Sequence, residues 1–479
     1  MIVQNIVFPN DVCDETMLYF RTEQKIHLAQ DEIQMGKDTT INTFTYMNLF
    51  DSSFWKEHTD IKEWMAKVQV KGTGIVKLYR RSPGGEELVS SVEVNSNEYQ
   101  EHSFEFTSGN EEEIIYFEFA SKKEMAIKGG CFYATKKIHF REVHLSVVIC
   151  TYRRNQELCY ILDTLKATDF FVQNSSLYGK MTVRVVDNAS ELLDDSHSFI
   201  TVYHNPNTGG AGGFTRGIVE TRSDEEKYGI TNVVLMDDDV KVIPETFYRL
   251  YTLLALLKEK YQQEVVAGRM FRLDDRKIQY TAAEIWNKGE IQHIGFQRNM
   301  CDMESLEKIN DSNSAEYSGW WFACFPMEFV RMNTPLPFFL HCDDVEYGLR
   351  HGGTPIILNG IQVWHETFEY RQSPMMAYYD TRNPLIVNYV RKLCDKQELM
   401  DMWIKKTVVY RFNNDYVSEY MAIYAINDFI KGVSWLKTVD SVKLHNKLDK
   451  KSKKKRISIV NRLFRKVSKL YATYVLKNI

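Results

Sequence analysis

Three consecutive carboxylates, Asp237, Asp238 and Asp239, follow an apolar run in VVLMDDDV (233–240). In an extended or turn conformation, the outer side chains of Asp237 and Asp239 can point the same way. Carboxylate oxygens are the ligands that hard cations such as Mg²⁺ and Mn²⁺ prefer, and these ions often bridge phosphate groups as well. The alternative is an acidic turn that caps a helix beginning near Pro244, because Asp is favoured at helix starts.

A glycine-rich segment, NTGGAGGFTRG (207–217), precedes the carboxylates and leads into a helical stretch. Glycines lack side chains, so backbone N–H groups there can approach a phosphate or a sugar closely. The glycine spacing matches neither the P-loop pattern nor G-x-G-x-x-G, so a dinucleotide or P-loop site is only weakly indicated. A flexible turn is the alternative.

Two more carboxylates and a histidine lie further along the chain. Asp343 and Asp344 stand immediately before the helical stretch VEYGLRH. Either could cap that helix, or could act as a general base that takes a proton from an attacking hydroxyl. His365 follows an apolar strand pattern, and a lone histidine is more often a structural residue. It becomes a third metal ligand if the fold brings it to Asp237 and Asp239.

Adjacent tryptophans, Trp320 and Trp321, occur in SGWWFACFP (318–326). Aromatic faces can stack on the C–H surfaces of sugars, although a tryptophan buried in a core is the common alternative. On a strand the two rings would point to opposite sides, so at most one of them would face a given pocket.

The elements that must position these residues form a recognisable alternation. HLSVVICTYRR, MTVRVVDNAS and NVVLMDDD are apolar stretches typical of buried parallel strands, and helical stretches separate them. This pattern predicts a doubly wound α/β domain over residues 141–375. Ligands bind beyond the carboxyl ends of the strands in such sheets, and TYRR, DNAS and DDD each occupy one of those ends.

The two flanking regions have different patterns. Residues 1–140 contain short alternating runs such as VKLYRR and IIYFEFAS, separated by polar turns, which predicts antiparallel strands in a β-sandwich. Beyond residue 375 long helical runs continue to the end, so residues 376–479 are predicted to form a helical domain.

Charge is distributed unevenly along the chain. The formal net charge is −4, yet residues 441–479 contain 13 Lys or Arg and a single acidic residue. Between residues 456 and 479 apolar residues recur every three to four positions with Lys or Arg between them, as in an amphipathic helix on an anionic membrane. A solvated or oligomer-contacting helix is the alternative. No nucleic-acid reading motif is found and the rest of the chain is acidic, which argues against a nucleic-acid partner.

Other features favour a cytosolic setting. The eight cysteines include no C-x-x-C pair, so a zinc site or disulfide framework is not indicated and a reducing compartment is favoured. The first residues lack the basic and apolar regions of a signal peptide. No apolar run approaches the roughly 20 residues needed to cross a bilayer.

Taken in order, the motifs TYRR, VVDNAS, NTGGAGGFTRG, VLMDDDV, GWW, DDVEYGLR, VWH and YYDTRNPL resemble those of the inverting GT-A glycosyltransferases of family 2. Most closely, they resemble the bacterial galactofuranosyltransferases. The resemblance implies a Rossmann-like GT-A central domain between an N-terminal β-sandwich and a C-terminal helical domain. It also implies that Asp237, Asp239 and His365 hold Mn²⁺ or Mg²⁺ on the diphosphate of the donor, with Asp344 as the catalytic base.

The resemblance implies roles for other matching positions. Nucleotide-sugar binding is implied for Thr151, Arg154, Asp187, Asn188, Asn207, Gly210, Asp237 and Asp238, with Arg153 as a substitute for Arg154. Contact with the sugar or acceptor is implied for Trp286, Trp320, Trp321, Asp343 and Arg382. One position departs from the family pattern, which has a tryptophan where this chain has Phe368.

The implied reaction is a metal-dependent, inverting transfer of galactofuranose from UDP-galactofuranose. The acceptor would be a cell-surface glycan or glycolipid at the cytoplasmic face of the bacterial membrane, and the protein could also form a homo-oligomer. A transferase of the same fold with another donor, such as dTDP-rhamnose, is the nearest alternative. A non-catalytic glycan-binding or assembly protein is the alternative from a different class.

Overall fold

The computed structural model describes residues 1–29, 32–109, 112–135, 140–195, 197–307, 309, 314–367 and 373–477. Over this part of the chain an antiparallel sheet, a mixed sheet with helices, and a group of helices follow one another. The fold class expected from the sequence is therefore confirmed. Phe368, the position that departs from the family pattern, lies outside the described residues.

The N-terminal region is built on antiparallel strands. These are β1 (Ile2–Asn5), β2 (His27–Ala29), β3 (Glu32–Met35), β4 (Thr40–Asn42), β5 (Phe50–Asp51), β6 (Glu63–Ser82), β7 (Gly85–Thr107) and β8 (Ile114–Ala134). Helix α1 (Ser52–His58) and a 3₁₀ turn (Thr16–Leu18) lie between strands. Hydrogen bonds join all eight strands into one sheet, in which β8 pairs with β6 on one edge and with β1, β3, β4 and β5 on the other.

Side-chain alternation explains why these strands form. In the first half of β6 the residues Trp64, Ala66, Val68 and Val70 are buried, while their neighbours are more exposed. Residues two apart on a strand share a face, so one face of β6 packs on the core and the other meets solvent.

The central region contains strands and helices in alternation. The strands are β9 (Leu145–Thr151), β10 (Met181–Asp187), β11 (Ile200–His204), β12 (Asn232–Asp237), β13 (Val266–Arg272), β14 (Ile278–Thr281), β15 (Glu284–Asn287), β16 (Glu290–His293), β17 (Arg298–Asn299), β18 (Ala323–Pro326) and β19 (Ile356–His365). The helices are α2 (Asn155–Lys166), α3 (Gly209–Ser223), α4 (Glu225–Tyr228), α5 (Pro244–Leu256), α6 (Met303–Glu307), α7 (Met327–Met332) and α8 (Asp343–His351), with a 3₁₀ turn at Glu259–Tyr261.

Nine of these strands form one mixed sheet. Its order is β11-β10-β9-β12-β18-β13-β14-β17, and β19 pairs with β13. The neighbours β11, β10, β9 and β12 run parallel, so their carboxyl ends meet at one edge of the sheet. Strands β15 and β16 form a separate two-stranded hairpin.

Two local expectations differ from the structure. The apolar pattern after Pro244 extends to about residue 261, but α5 ends at Leu256 and the 3₁₀ turn follows it. The tryptophan pair was expected on a strand, but β18 begins only at Ala323, so both rings lie in the turn before it.

The C-terminal region is helical. Its helices are α9 (Met376–Val390), α10 (Lys396–Phe412), α11 (Tyr416–Phe429), α12 (Gly432–Thr438), α13 (Ser441–Ser452) and α14 (Ser458–Lys477). A capping box between Asp395 and Glu398 fixes the start of α10. Among the described residues, no helix combines the length and apolar character that crossing a bilayer would require.

The N-terminal sheet and the central sheet share one hydrophobic core. A fully buried Arg249 on α5 reinforces the junction. It pairs with Glu245 at 2.8 Å and donates hydrogen bonds to the carbonyls of Met47 and Asn359, while Asn5 donates to Glu245. A buried charge is tolerated only when it is paired and hydrogen-bonded, so these contacts tie the two sheets together.

Candidate active site

The three expected metal ligands lie at the ends of two strands. Strand β12 ends at Asp237 and β19 ends at His365. Lys241, just past the carboxylates, exchanges two backbone hydrogen bonds with Trp364, with N···O distances of 2.8 and 2.9 Å. This bridge holds the loop that carries Asp239 beside the end of β19, so residues more than 120 positions apart become neighbours.

The geometry of this cluster suits a divalent cation. Ligand atoms of Asp237, Asp239 and His365 all lie within 4.8 Å of one another. The Nε2 atom of His365 is 3.0 Å from Asp239 Oδ1 and 3.8 Å from Asp237 Oδ2. Its Nδ1 lies 2.5 Å from the Glu366 carbonyl, which can only accept, so Nδ1 carries the proton of the neutral ring and Nε2 faces the carboxylates.

The charges of the cluster are unbalanced without a cation. Burial and the neighbouring Asp239 carboxylate raise the pKa of Asp237 above its ordinary value, and burial raises that of Asp238. Arg154 offsets part of this charge, because its Nη1 lies 2.8 Å from Asp238 Oδ1 and 2.7 Å from Asp239 Oδ2. A divalent ion would stabilise the ionised carboxylates further, so the donor set fits such an ion.

Asp238 and Arg154 contact each other, which was not expected from the sequence. Both were expected to line the nucleotide, and in the structure they form an ion pair with each other beside the cluster. Asp238 is outside the set of convergent metal ligands. The neighbouring Arg153 has a left-handed backbone conformation and pairs with Glu191 on the surface.

Asp187 and Asn188 organise the loop that follows β10. The Asp187 carboxylate accepts hydrogen bonds from the backbone N–H groups of Ala189, Glu191 and Leu192, at 2.6 to 2.8 Å. Burial would raise the pKa of Asp187, but these donors outweigh it and leave the pKa below its ordinary value. Thr151, at the end of β9, lies opposite Asp187 in the parallel pairing. Nucleotide binding by this loop stays a prediction.

The residue Asn205 was missed by the sequence reasoning. It is buried, and its Nδ2 donates to Asn188 Oδ1 at 2.7 Å, while Asn188 Nδ2 donates to the Gly209 carbonyl at 3.0 Å. This chain joins the β10 loop to the first turn of α3. The expected residue Asn207 accepts a hydrogen bond from the Gly209 N–H at 3.1 Å. The only sequence signal for Asn205 was its place at the end of β11.

All five glycines of the 207–217 segment belong to helix α3 rather than to a loop. A Cβ atom on Gly213 would lie 2.1 Å from Cys150 Sγ, and one on Gly217 would lie 2.1 Å from a Val148 methyl carbon. These glycines therefore let α3 pack closely against β9. Gly210 lies in the first turn, where its Cβ position is 3.7 Å from Asp343 Oδ2, so that turn faces the start of α8.

The segment that presents the two expected acidic residues is strained. Phe339, His341 and Cys342 all have positive φ angles, between 63° and 77°. This region favours glycine, and other residues persist there only when their surroundings hold them. Helix α8 begins directly afterwards with Asp343 and Asp344. The strain thus sits immediately before the candidate base.

Asp343 and Asp344 lie close together in a partly buried setting. Burial raises the pKa of Asp343 to about 6. Burial, the Asp343 carboxylate and the Glu284 carboxylate raise the pKa of Asp344 well above its ordinary value. A carboxyl group with a raised pKa is a better proton acceptor once ionised, which suits a general base. Glu284 is a second residue that the sequence reasoning missed, although it stands two positions before Trp286 in AAEIWN.

Helix α9 holds the strained segment in place. Arg382 donates to the Phe338 carbonyl at 2.8 Å, and Asn383 Nδ2 donates to the carbonyls of Leu340 and His341 at 2.6 and 2.9 Å. Arg382 is only 1% exposed. In the structure Arg382 supports the segment before Asp343 and Asp344, and its expected contact with the acceptor stays a prediction.

Aromatic rings and a glycine complete this support. The Phe339 ring stacks on Tyr379 of α9, and its centroid is 4.8 Å from that of His445 on α13. A Cβ atom on Gly209 would lie 2.0 Å from the Phe339 carbonyl oxygen, and Gly209 itself has a φ of +72°. Only glycine fits there, so the start of α3 and helices of the C-terminal region together enclose the segment.

We predict that Arg382→Lys lowers kcat by roughly 10- to 100-fold, because small misplacements of catalytic groups cost that much. Lysine cannot reproduce the planar fork that reaches the Phe338 carbonyl, the Tyr378 hydroxyl and the Asn383 amide oxygen. Steady-state kinetics with a donor titration check this, and the donor KM should change less than threefold.

The matched control for this prediction is Arg331→Lys, since Arg331 pairs with Glu225 on the surface. A kcat for Arg382→Lys equal to that of the control would show that the fork does not position the base. Circular dichroism of both variants separates this effect from loss of folding.

The three tryptophans expected at the acceptor are buried, with exposures of 6%, 4% and 3% for Trp286, Trp320 and Trp321. The Trp320 ring packs edge-on against Phe214, and Trp321 Nε1 donates to the Gly268 carbonyl at 2.8 Å. These two rings enter different cores, as core residues do. Trp286 Nε1 donates to Asn388 on α9 at 2.8 Å. All three rings thus lie in buried clusters, and their contact with the sugar or the acceptor stays a prediction.

Two family models match this chain. The model described as Galactofuranosyltransferase 2 N-terminal matches residues 3–135, and Glycosyl transferase family 2 matches residues 146–303. The first coincides with the N-terminal sheet. The second contains Asp187, Asn188 and the triple Asp, so it covers much of the candidate site.

Curated relatives match over most of the chain. The galactofuranosyltransferase GlfT2 of Mycobacterium tuberculosis is 24% identical over 442 residues, which are 84% of this chain and 67% of that protein. GlfT2 of Mycolicibacterium smegmatis is 21% identical over 462 residues, 88% of this chain and 70% of that protein. The chain thus spans about two thirds of the length of these relatives.

Among solved structures, the chain is similar to the mannosyltransferase PcManGT of Pyrobaculum calidifontis in complex with GDP-Man and Mn²⁺. The TM-score is 0.33 at 12% identity, over 71% of this chain and 86% of that one. The matches to family models and curated relatives favour an enzyme over a non-catalytic glycan-binding protein. These matches support a glycosyltransferase, and the chain resembles the bacterial galactofuranosyltransferases of family 2 over most of its length.

Proposed function

We propose that this protein transfers galactofuranose from UDP-galactofuranose to a hydroxyl group of a membrane-attached glycan, with inversion at the anomeric carbon. The observation that carries the proposal is the convergence of Asp237, Asp239 and His365 near the Asp343–Asp344 pair. Asp237 lies close enough to Asp344 to contribute to its raised pKa. In this proposal a diphosphate site and a proton acceptor lie beside each other, and we call the space between them the cleft.

The proposed chemistry assigns one task to each part of the cleft. Asp344 accepts the proton of the acceptor hydroxyl, whose oxygen attacks the anomeric carbon opposite the departing UDP. One displacement inverts the configuration and needs no carboxylate nucleophile, unlike retaining glycosidases, in which a carboxylate forms a covalent intermediate. Asp237, Asp239 and His365 would hold Mn²⁺ or Mg²⁺, which supplies charge neutralisation of the diphosphate. The imidazole ligand favours Mn²⁺, because Mg²⁺ prefers oxygen ligands.

A donor comparison tests the function. Purified protein is incubated with UDP-galactofuranose or with dTDP-rhamnose, together with Mn²⁺ and an alkyl galactofuranoside as acceptor, and the product is identified by mass spectrometry. We expect galactofuranosyl transfer from the UDP donor. Turnover with dTDP-rhamnose and none with UDP-galactofuranose would contradict the proposal. NMR of the product anomeric centre separates inversion from retention.

The effect of Asp343 on Asp344 leads to a pH prediction. The Asp343 carboxylate raises the pKa of Asp344, and a base works only when ionised. Removing this like charge in Asp343→Asn lowers the pKa of Asp344, so the acidic limb of the kcat profile moves to lower pH. Profiles of wild type and variant between about pH 4.5 and 8 check the shift. If the acidic limb of the kcat profile moves to higher pH, the Asp343 carboxylate does not raise the pKa of Asp344. Complete loss of turnover would identify Asp343 as the base.

The C-terminal helix α14 presents an unusual surface. Its small or polar residues Asn461, Ser468 and Ala472 are buried, and Asn461 and Ser468 form hydrogen bonds with residues of α11. Most of its large apolar residues face outward: Ile459, Val460, Leu463, Val467, Leu470, Tyr471 and Tyr474 are exposed, whereas Leu476 is buried. Arg462, Lys466 and Lys469 lie among them on the exposed side.

An exposed apolar stripe flanked by basic residues supports binding to an anionic lipid surface. We therefore propose that α14 docks the enzyme on the cytoplasmic face of the bacterial membrane. This location would bring the cleft to an acceptor that is attached to lipid.

We predict that Leu463→Ser with Leu470→Ser weakens binding to anionic vesicles at least about tenfold, since each leucine loses apolar burial in the lipid. The two side chains are 63% and 75% exposed, so the fold should tolerate the change. Co-sedimentation with phosphatidylglycerol vesicles measures it, and Leu193→Ser at another exposed leucine is the control. If the double variant binds the vesicles as well as the wild type does, the lipid-binding surface lies on another part of the protein. Deleting the tail is unsuitable, because His445 of α13 contacts Phe339.

A further inference from the structure

A cavity of about 530 Å³ opens between the turn of the β15–β16 hairpin and helices α9 and α10. We call it the hairpin cavity, and polar residues that line it include Asn287, Lys288, Glu290, Asp380, Lys406 and Tyr410. We propose that the hairpin cavity binds the sugar residues of the acceptor that precede the one being extended. The inference rests on the proposed function, because it assumes a glycan acceptor at Asp344.

The hairpin connects the cavity to the candidate base. At one end of β15, the buried Glu284 acts electrostatically on Asp344. At the other end, Asn287 lines the cavity. A strand rises by about 3.3 Å per residue, so β15 spans roughly 10 Å between Glu284 and Asn287. In the proposed arrangement, the preceding sugars of the acceptor follow the hairpin over this distance into the cavity.

A second connection runs through the strained segment. His341 Nδ1 lies 2.6 Å from Asp380 Oδ1, and Asp380 lines the cavity. Asp380 and Lys406 also act electrostatically on the Cys342 thiol, directly before Asp343. Asp380, which lines the cavity, therefore contacts His341, which lies two residues before Asp343.

The chemistry of the lining fits a neutral polyhydroxylated chain. Carboxylates, ammonium groups and an amide can donate to and accept from sugar hydroxyls, and the Tyr410 ring offers an apolar face. The charges are largely matched within the protein, since Lys405 pairs with Glu290 at 3.2 Å and Asp380 pairs with His341. A polyanion would find no concentrated positive field among these paired residues.

Contacts between the hairpin and helices α9 and α10 hold the residues that line the cavity in place. Trp286 is anchored to α9 through Asn388, and Lys288 pairs with Glu398 on α10 at 2.5 Å. A Cβ atom on Gly289 would lie 2.8 Å from the Met402 methyl carbon, so the turn seats closely on the helices. Its volume falls within the range of about 300–1,000 Å³ that is usual for ligand sites, which are mostly preformed.

Acceptor length provides the test. Octyl glycosides of a galactofuranose disaccharide and of a hexasaccharide are the two acceptors, and KM is measured for each at saturating UDP-galactofuranose and Mn²⁺. If the cavity holds the preceding sugars, KM of the wild type falls from the short to the long acceptor. In Tyr410→Ala and in Asn287→Ala this difference should shrink by about threefold to tenfold, the effect of a lost ring contact or hydrogen bond.

The choice of variants and acceptors distinguishes a folding defect, a wrong inference and a wrong proposed function. Asn287 is exposed at the end of β15, so its variant should fold even if Tyr410→Ala does not. Lys396→Ala, on the exposed first turn of α10, should keep the length dependence of the wild type. The inference would be overturned if the wild type has the same KM for both acceptors, or if both variants keep the wild-type difference in KM between them. In either case, transfer to the acceptors would still uphold the proposed function. Absence of transfer to either acceptor would overturn the proposed function, and the inference with it.

Discussion

Replacing Asp344 by asparagine is expected to lower kcat by roughly 100- to 10,000-fold, the usual contribution of a general base. Asparagine has almost the same shape, and its amide oxygen can still accept the hydrogen bond that the Val345 N–H gives to Asp344 Oδ1 at 2.7 Å. The start of α8 should therefore be preserved. Only the ability to take the hydroxyl proton is lost.

Single-turnover measurements with UDP-galactofuranose and an alkyl galactofuranoside check this expectation. UDP binding, measured by calorimetry, should change less than about threefold, because Asp344 is not one of the convergent metal ligands. Asp401→Asn, an exposed carboxylate on α10, is the matched control. Turnover of Asp344→Asn within tenfold of the control would show that another group is the base.

Loss of one convergent carboxylate in Asp239→Asn should reduce turnover about 1,000-fold or more, since a catalytic metal supplies several kcal/mol of charge stabilisation. Asp239 is the expected ligand with the closest contact to His365, at 3.0 Å. Its replacement removes an oxygen ligand and also one partner of Arg154. EDTA should abolish turnover of the wild type, and added Mn²⁺ should restore it.

A direct binding measurement distinguishes metal loss from other effects. The electron paramagnetic resonance signal of free Mn²⁺ is followed as protein is added in the presence of UDP. Asp239→Asn should leave most Mn²⁺ free at concentrations where the wild type binds it. Asp238→Asn is the neighbouring control and should retain Mn²⁺, because Asp238 lies outside the group of convergent ligands. Equal Mn²⁺ binding by Asp239→Asn and the wild type would refute the ligand assignment.

The C-terminal helices also support the segment that precedes the candidate base. Arg382 and Asn383 of α9 hold the backbone before the base, and His445 of α13 packs on Phe339. Because α13 and α14 are consecutive, the surface that we propose for lipid and the segment that presents Asp344 belong to one connected set of helices. Variants of this region should therefore be judged by kcat as well as by membrane binding.

The residue types and their order determined the main features by themselves. Alternating apolar residues specify the antiparallel strands of residues 1–134, and continuous apolar runs specify β9, β10 and β12, because periodicity reflects which faces are buried. Carboxylates directly after such runs must lie at the carboxyl edge of a parallel sheet. That reasoning was sufficient to select Asp237 and Asp239 as candidates, whereas Asp344 was selected over Asp343 by the resemblance to the family 2 glycosyltransferases.

Only the tertiary structure decided which contacts each candidate site residue makes. Arg382 and Trp320 have residue types that suit an acceptor site, and in the structure the first supports a strained backbone and the second packs in a core. The sequence gives little indication of Asn205 and Glu284, because Asn205 matters through its hydrogen bond to Asn188 and Glu284 through its electrostatic effect on Asp344. Periodicity reports the face of a single element, whereas the meeting of His365 with Asp239 requires the pairing of distant segments.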